Sequence, residues 1–300
     1  MDKPTADSSP WRALWSQHGR RWQGFDYVYP VMSRRSRGLS IGINLNPDKR
    51  CNWDCVYCQV DRTTPARRKD VDLSQMNDEL AWLLRWTIDG EVWRHEPLDS
   101  VPAPARRLSD IAFSGDGEPT TYPRFEEACR IAVEQKAAHD LTDVKIIVLS
   151  NMTMYDRPAV RRGFELLDLN NGEIWAKLDA GTEPYYREVD RSAIPFSSVL
   201  ENILAAGRGR SLVIQSLFMN WQGQPISDAE FGAYLERLQE LLDKGCRICR
   251  VQLYTIARST AERSAQPLAD RQLDDLARRF RGAIPQVPCE VFYGVEAAGV

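Results

Sequence analysis

The chain has 300 residues, a net charge of −3 and a hydrophobic fraction of 43%. That is enough apolar material for a sizeable core, and the slightly acidic balance does not advertise a general nucleic-acid binder. No stretch approaches the roughly 18 apolar residues of a membrane span, and the opening MDKPTADSSPWRALW lacks the apolar core of a secretory signal; the expectation is a cytoplasmic protein with no membrane partner.

In chain order, residues 1–10 look frayed. Residues 11–30 carry Trp11, Trp15, Trp22, Phe25, Tyr27 and Tyr29, so 1–38 is expected to pack as an N-terminal extension on a domain spanning 39–300. A strand over Leu39–Leu45 leads into a cysteine-rich loop, and a helix follows over Leu73–Thr87. Asp89–Leu108, with three prolines and many charges, reads as an exposed connection. Then come a strand core at Ile111–Phe113, a helix at Arg124–Lys136 and a buried strand at Asp143–Leu149. A helix at Pro158–Leu167, a strand at Glu173–Leu178, a helix at Ser197–Ala206 and a strand at Ser211–Phe218 continue the alternation. Asp228–Asp243 is amphipathic through Phe231, Tyr234, Leu235, Leu238, Leu241 and Leu242. Ile248–Thr255 is a sixth strand, Asp270–Phe280 a helix, and Cys289–Tyr293 a short final strand.

Strands alternating with helices predict parallel βα units. Six of them predict an α/β fold, a partial (β/α)6 barrel with an N-terminal extension. An open doubly wound sheet competes, but the first βα turn lacks the Gly-x-Gly-x-x-Gly fingerprint of its dinucleotide-binding form. Three basic clusters, Arg34-Arg35-Ser36-Arg37, Arg67-Arg68-Lys69 and Arg106-Arg107, have two readings: solvated loops, or capture of phosphate or carboxylate groups.

Three of the seven cysteines, Cys51, Cys55 and Cys58, fall within eight residues in a C-x3-C-x2-C pattern just after the first strand. Clustered thiolates of this kind select iron–sulfur clusters, and three ligands leave one iron of a cubane open. Structural zinc is the alternative, but it asks for four ligands and no fourth cysteine or histidine lies nearby. Cys246, Cys249 and Cys289 read as small interior residues, with a second cluster as the other possibility.

The cysteine spacing, with Tyr57 just before the last cysteine, resembles the signature of the radical S-adenosylmethionine (radical SAM) superfamily. Phe113-Ser114-Gly115-Asp116-Gly117-Glu118-Pro119-Thr120 resembles that family's Gly-Gly-Glu-Pro motif, and Ser150-Asn151 its ribose-contacting position. The wording FSGDGEPTTYP, SNMT and KLDA is most similar to stand-alone iron–sulfur oxidoreductases related to the radical domain of tRNA wybutosine-synthesis enzymes. No cysteine precedes Cys51, so the second N-terminal cluster of those tRNA enzymes is not expected, and the tail after Thr255 is short for a cysteine-rich auxiliary module.

The resemblance implies one 4Fe–4S cluster on Cys51, Cys55 and Cys58. It implies S-adenosylmethionine bound by Tyr57, Gly115, Gly117, Glu118, Ser150, Asn151, Asp179 and Gln215, with Glu118 on the methionine ammonium. An electron donor such as flavodoxin or ferredoxin would supply the cluster. Lys177 and Arg258 are the candidate catalytic side chains, with Arg258 taking an anionic group of an RNA or small-metabolite substrate. Most of these residues follow strand ends, the face where barrel active sites assemble. The alternatives are an activase acting on a partner protein's glycine, and a non-catalytic zinc- or cluster-binding interaction protein.

Overall fold

The computed structural model describes residues 22–294 together with Leu14. The fraying of residues 1–10 and the packing of Trp11 and Trp15 lie outside them. The strands are β1 (Val28–Ser33), β2 (Gly38–Ile43), β3 (Leu108–Phe113), β4 (Lys145–Ser150), β5 (Gly172–Lys177), β6 (Leu212–Leu217), β7 (Met219–Trp221), β8 (Gln224–Pro225), β9 (Ile248–Tyr254), β10 (Ala265–Pro267) and β11 (Cys289–Phe292). The helices are α1 (Leu73–Ile88), α2 (Phe125–Ala138), α3 (Pro158–Asp168), α4 (Glu183–Val189), α5 (Phe196–Gly209), α6 (Asp228–Asp243) and α7 (Asp270–Ala283).

One eight-stranded sheet runs in the order β1-β2-β3-β4-β5-β6-β9-β11. Every neighbouring pair is parallel except β1 with β2. The sheet curls into a half-barrel with helices outside, the expected partial barrel. Strand periodicity sorts its two faces. Ile41, Ile111, Ile146, Val148, Ile174 and Ile214 point outward into the main core beneath the helices. Ala112, Ile147, Trp175 and Val213 form a separate small cluster inside the lumen. Caps fix where helices begin: Asp72 accepts from the amides of Ser74 and Gln75 ahead of α1, and Ser227 from that of Glu230 ahead of α6.

Three features depart from the sequence reading. Residues 28–33, expected in the extension, form the edge strand β1. Pro30 suits an edge, where its missing N–H costs no ladder bond, and buried Glu79 of α1 anchors the strand's start by accepting from the amides of Asp26, Tyr27 and Val28 at 2.9–3.0 Å. The connection from Asp89 to Leu108 is not simply exposed, because Val92, Trp93, Leu98 and Val101 are buried. It folds back on α1, stacking His95 on Trp86 at 4.6 Å between ring centroids. Beyond β6, a three-stranded sheet in the order β10-β7-β8 adds a wall that the sequence did not reveal.

Candidate active site

A cavity of about 280 Å3 opens within the half-barrel. Cys51, Cys55 and Cys58 line it, as do Tyr57, Gly115, Gly117, Glu118, Asn151, Lys177, Gln215 and Arg258. Eleven expected residues therefore meet in one place, although they come from loops up to two hundred positions apart. The other two, Ser150 and Asp179, stand just behind the lining and hold residues that form it.

The cysteine loop follows β2 and is clamped from three sides. Asn52 donates to Thr153 Oγ1 (2.6 Å) and accepts from Asn151 Nδ2 (2.8 Å) in the loop after β4. The amides of Asp54 and Val56 donate to the carbonyls of Asp190 and Val189 at the end of α4, and the amide of Ala261, beyond β9, donates to the Cys58 carbonyl. The Gly115 and Gly117 backbones must approach this region closely. A Cβ on Gly115 would fall 2.3 Å from Asn44 Oδ1, and one on Gly117 would fall 2.1 Å from the Arg50 carbonyl oxygen. The glycines thus let the loop after β3 press against the cysteine loop.

Glu118 is buried, and both of its carboxylate oxygens are held. One accepts from the Thr120 amide and hydroxyl and from Ser150 Oγ (2.8 Å), the other from the Asn151 amide (2.7 Å). Burial pushes its pKa up, and these donors pull against that shift. Ser150 spends its one hydrogen on Glu118 and accepts from the Met152 amide, so it orients the carboxylate.

Beneath Cys55 lies a buried polar network. The Tyr57 hydroxyl sits between Asp179 Oδ2 and Asp190 Oδ1, the latter at 2.9 Å. Asp179 also accepts from the Leu217 amide (2.7 Å) and pairs with Lys177 (3.1 Å). Burial, and then the Asp179 charge, push the Asp190 carboxyl well up. Burial alone would lower the Lys177 pKa, but Asp179, Tyr254 and Cys55 hold it well above its ordinary value. Lys177 lies 4.8 Å from the Tyr57 ring centroid and 3.3 Å from the Tyr254 hydroxyl. Gln215 Nε2 donates to Gln252 across β6 and β9, and Arg258 donates to Gln59 Oε1.

Several of these participants escaped the sequence reading. Asp190 and Asn52 gave no signal of their own. Tyr254 is the last residue of β9, and its alternation with Gln252 marks it as facing the lumen. Arg62, four positions after Cys58, donates to the Cys58 sulfur at 3.2 Å. The Arg67-Arg68-Lys69 cluster is solvated, with Arg68 pairing with Asp26 at 2.8 Å, whereas Arg34 and Arg35 line the cavity.

The donor set suits an iron–sulfur cubane. Three thiols of one loop face the cavity, with an arginine on one sulfur and a held carboxylate beside Cys51. Burial pushes the Cys51 and Cys55 thiols up, so ligation must release their protons. Among the described residues no three His, Cys, Asp or Glu side chains converge as a single ion would require; a cubane presents each iron at a separate corner. Cys246 and Cys249 do not face each other: their sulfurs turn to the carbonyls of Ile203 and Leu212. No helix among the described residues is long and apolar enough to cross a membrane.

Known proteins resemble the chain in sequence and in fold. A UPF0026 protein of Helicobacter pylori (strain J99) is 25% identical over 267 residues, covering 86% of this chain and 75% of that one. A UPF0026 protein of Methanocaldococcus jannaschii is 30% identical over 184 residues, 59% of this chain and 48% of its own. Among solved structures, TYW1 with a lysine–pyruvate adduct bound superposes with a TM-score of 0.54 at 15% identity, covering 91% of this chain and 81% of that one. Streptococcus suis SuiB bound to S-adenosylmethionine gives 0.54 at 15% identity, covering 86% and 52%. At such identities these two speak for the fold. The sequence profile of the Radical SAM superfamily matches residues 45–219, from just ahead of the cysteine loop through β6 to the first residue of β7. The chain belongs to the radical SAM superfamily.

Proposed function

We propose that the chain holds one 4Fe–4S cluster on Cys51, Cys55 and Cys58 and cleaves S-adenosylmethionine reductively to abstract hydrogen from an organic substrate. The convergence of the three cysteines with Glu118 and Asn151 on one cavity carries this reading. When bound, the cluster supplies one electron that breaks the C5′–S bond, leaving methionine and a 5′-deoxyadenosyl radical that takes a hydrogen atom from substrate.

The chain's own residues bind and orient. Glu118, fixed through Thr120, Ser150 and Asn151, presents its remaining lone pairs to the methionine ammonium. Asn151 and Gln215 supply side-chain amides toward the nucleoside. Asp179 acts from behind, setting Tyr57 and Lys177, and Lys177 and Arg258 face the substrate. An electron donor of the flavodoxin or ferredoxin kind would dock over the cysteine loop. The substrate, a small metabolite or RNA, enters at the C-terminal end of the barrel.

Anaerobic reconstitution tests the reading. Iron should plateau near about four per chain, the content of one cubane, and dithionite with S-adenosylmethionine should yield 5′-deoxyadenosine. Cys55→Ala should lose the cluster signal and the product together. Full iron in that variant, or no 5′-deoxyadenosine from the reconstituted wild type, would overturn it.

A further inference from the structure

We infer that Arg34 and Arg35, from the turn between β1 and β2, join Arg258 in an oxyanion site within the same cavity, and that this site takes the carboxylate or phosphate of a small anionic substrate. The inference rests on the radical SAM reading of the cavity and names the substrate class for it. All three arginines line the cavity, as does Lys177. Arg34 and Arg35 follow one edge strand of the sheet, while Arg258 follows β9, next to the other edge. The convergence is therefore made by the barrel's curvature, and the charge run at 34–37 only becomes a site once the sheet has curled.

The arginines act on one another. Burial, and then the charges of Arg35 and Arg258, work against the Arg34 cation. Gathering like charges in a half-buried space is costly unless an anion joins them. Of the three carboxylates lining the cavity, two are committed elsewhere. Glu118 is held by Thr120, Ser150 and Asn151. Asp116 accepts from Asn44 Nδ2 at 2.8 Å. Asp110 accepts from Ser40; burial raises its pKa, and the Arg35 charge pulls against that shift, so one buried carboxylate faces three arginines and Lys177.

A purely structural role accounts for part of this. Arg34 donates to the Tyr293 carbonyl just past β11, so it ties together the two open edges of the half-barrel. Arg35 has no such tie. Its guanidinium lies 5.1 Å from the Tyr254 ring centroid and 5.5 Å from that of Trp175, and among the described residues it makes no hydrogen bond. Contact with aromatic faces holds a guanidinium while leaving its planar fork of N–H donors for an acceptor, a geometry suited to carboxylate and phosphate. The cavity must also admit the cluster and S-adenosylmethionine of the proposed reading, which favours a small molecule over a nucleic-acid strand.

The test is calorimetric titration of inorganic phosphate, and separately of malonate, into the anaerobically reconstituted 300-residue chain with S-adenosylmethionine bound. The wild type is expected to bind at least one of them. Arg34→Gln/Arg35→Gln should weaken that binding by about tenfold or more, while affinity for S-adenosylmethionine changes by less than about threefold. Equal loss of both would place the arginines on the methionine carboxylate and overturn the inference. Absence of anion binding in the wild type, or wild-type binding in the double variant, would overturn it too. If the double variant does not fold, Arg258→Gln carries the same comparison from the other side of the cavity. Reconstituted wild type that binds no S-adenosylmethionine would sink the radical SAM reading instead, and phosphate titration into the unreconstituted protein would still decide the arginine site.

Discussion

The two ends of the barrel lumen use the same residue types in opposite ways. Near the N-terminal end, Glu173 of β5 is surrounded by donors: Lys145 of β4, Arg250 of β9 at 2.6 Å and the Trp175 indole at 2.9 Å. Although burial opposes ionisation, these partners hold its pKa down at about 2. At the C-terminal end, Glu118 and Asp190 are pushed the other way by burial. A carboxylate with its cations in place is a brace between strands. One buried among hydroxyls, amides and a second carboxylate keeps unspent capacity for a ligand. The polarity follows the general rule for α/β barrels, stability at one end and chemistry at the other.

That contrast breaks most easily at Glu173. Its folded pKa lies below the unfolded value near 4.5, so its contribution is fully present above that value and fades as pH falls toward about 2. At neutral pH the shift corresponds to at most about 3 kcal/mol. Glu173→Gln should lower stability by up to that amount in urea unfolding near pH 7, and flatten the acid limb of the stability curve between about pH 4.5 and 2. Affinity for S-adenosylmethionine should survive. If Glu173→Gln cost affinity and no stability, the division between the two ends would fail.

Glu118 sharpens the contrast from the other end. Losing a charge-assisted hydrogen bond to an ammonium costs about 1.5–3 kcal/mol. Glu118→Ala should therefore weaken S-adenosylmethionine binding by roughly tenfold or more with iron content intact. Ser150→Ala should give a smaller loss in the same direction, because Ser150 acts through Glu118. Unchanged affinity in Glu118→Ala would show that the carboxylate serves only the turn after β3.

What was legible follows from length and locality. The six inner strands and six of the helices each run long enough for their apolar period to show, and the three cysteines are their own signal because eight residues contain them all. Helix α4 has seven residues, and β7, β8 and β10 have three or fewer, too short for periodicity to register. The β1 run VYPVMS contains a proline that argues against a strand unless an edge is foreseen. The lumen was the least legible part. Trp175, Tyr254 and Arg35 meet only because the curled sheet brings β1, β5 and β9 around one space, and no local pattern encodes that meeting.

Arg62 offers the finest test of how the functional end is tuned. Its NH1 donates to Cys58 Sγ at 3.2 Å, its Nε is anchored on the Lys49 carbonyl at 3.1 Å, and Asp54 lies 3.8 Å away. Burial would lower the Arg62 pKa, but the Cys58 sulfur holds it above its ordinary value, so the cation faces that sulfur. Reduction of a ligated cluster adds negative charge, and a cationic hydrogen bond to one of its sulfurs favours the reduced form. Asp54 and partial exposure to water blunt the effect. Arg62→Ala should shift the midpoint potential in redox titration followed by electron paramagnetic resonance to a value roughly 50 mV more negative, the one-electron equivalent of about 1 kcal/mol. Arg62→Lys should fall between, since an ammonium is a point charge without the fork that here spans the Lys49 carbonyl and the sulfur at once. The potential separates tuning from mere loop support, because a bracing role would change cluster retention while leaving the potential of the retained cluster where it was.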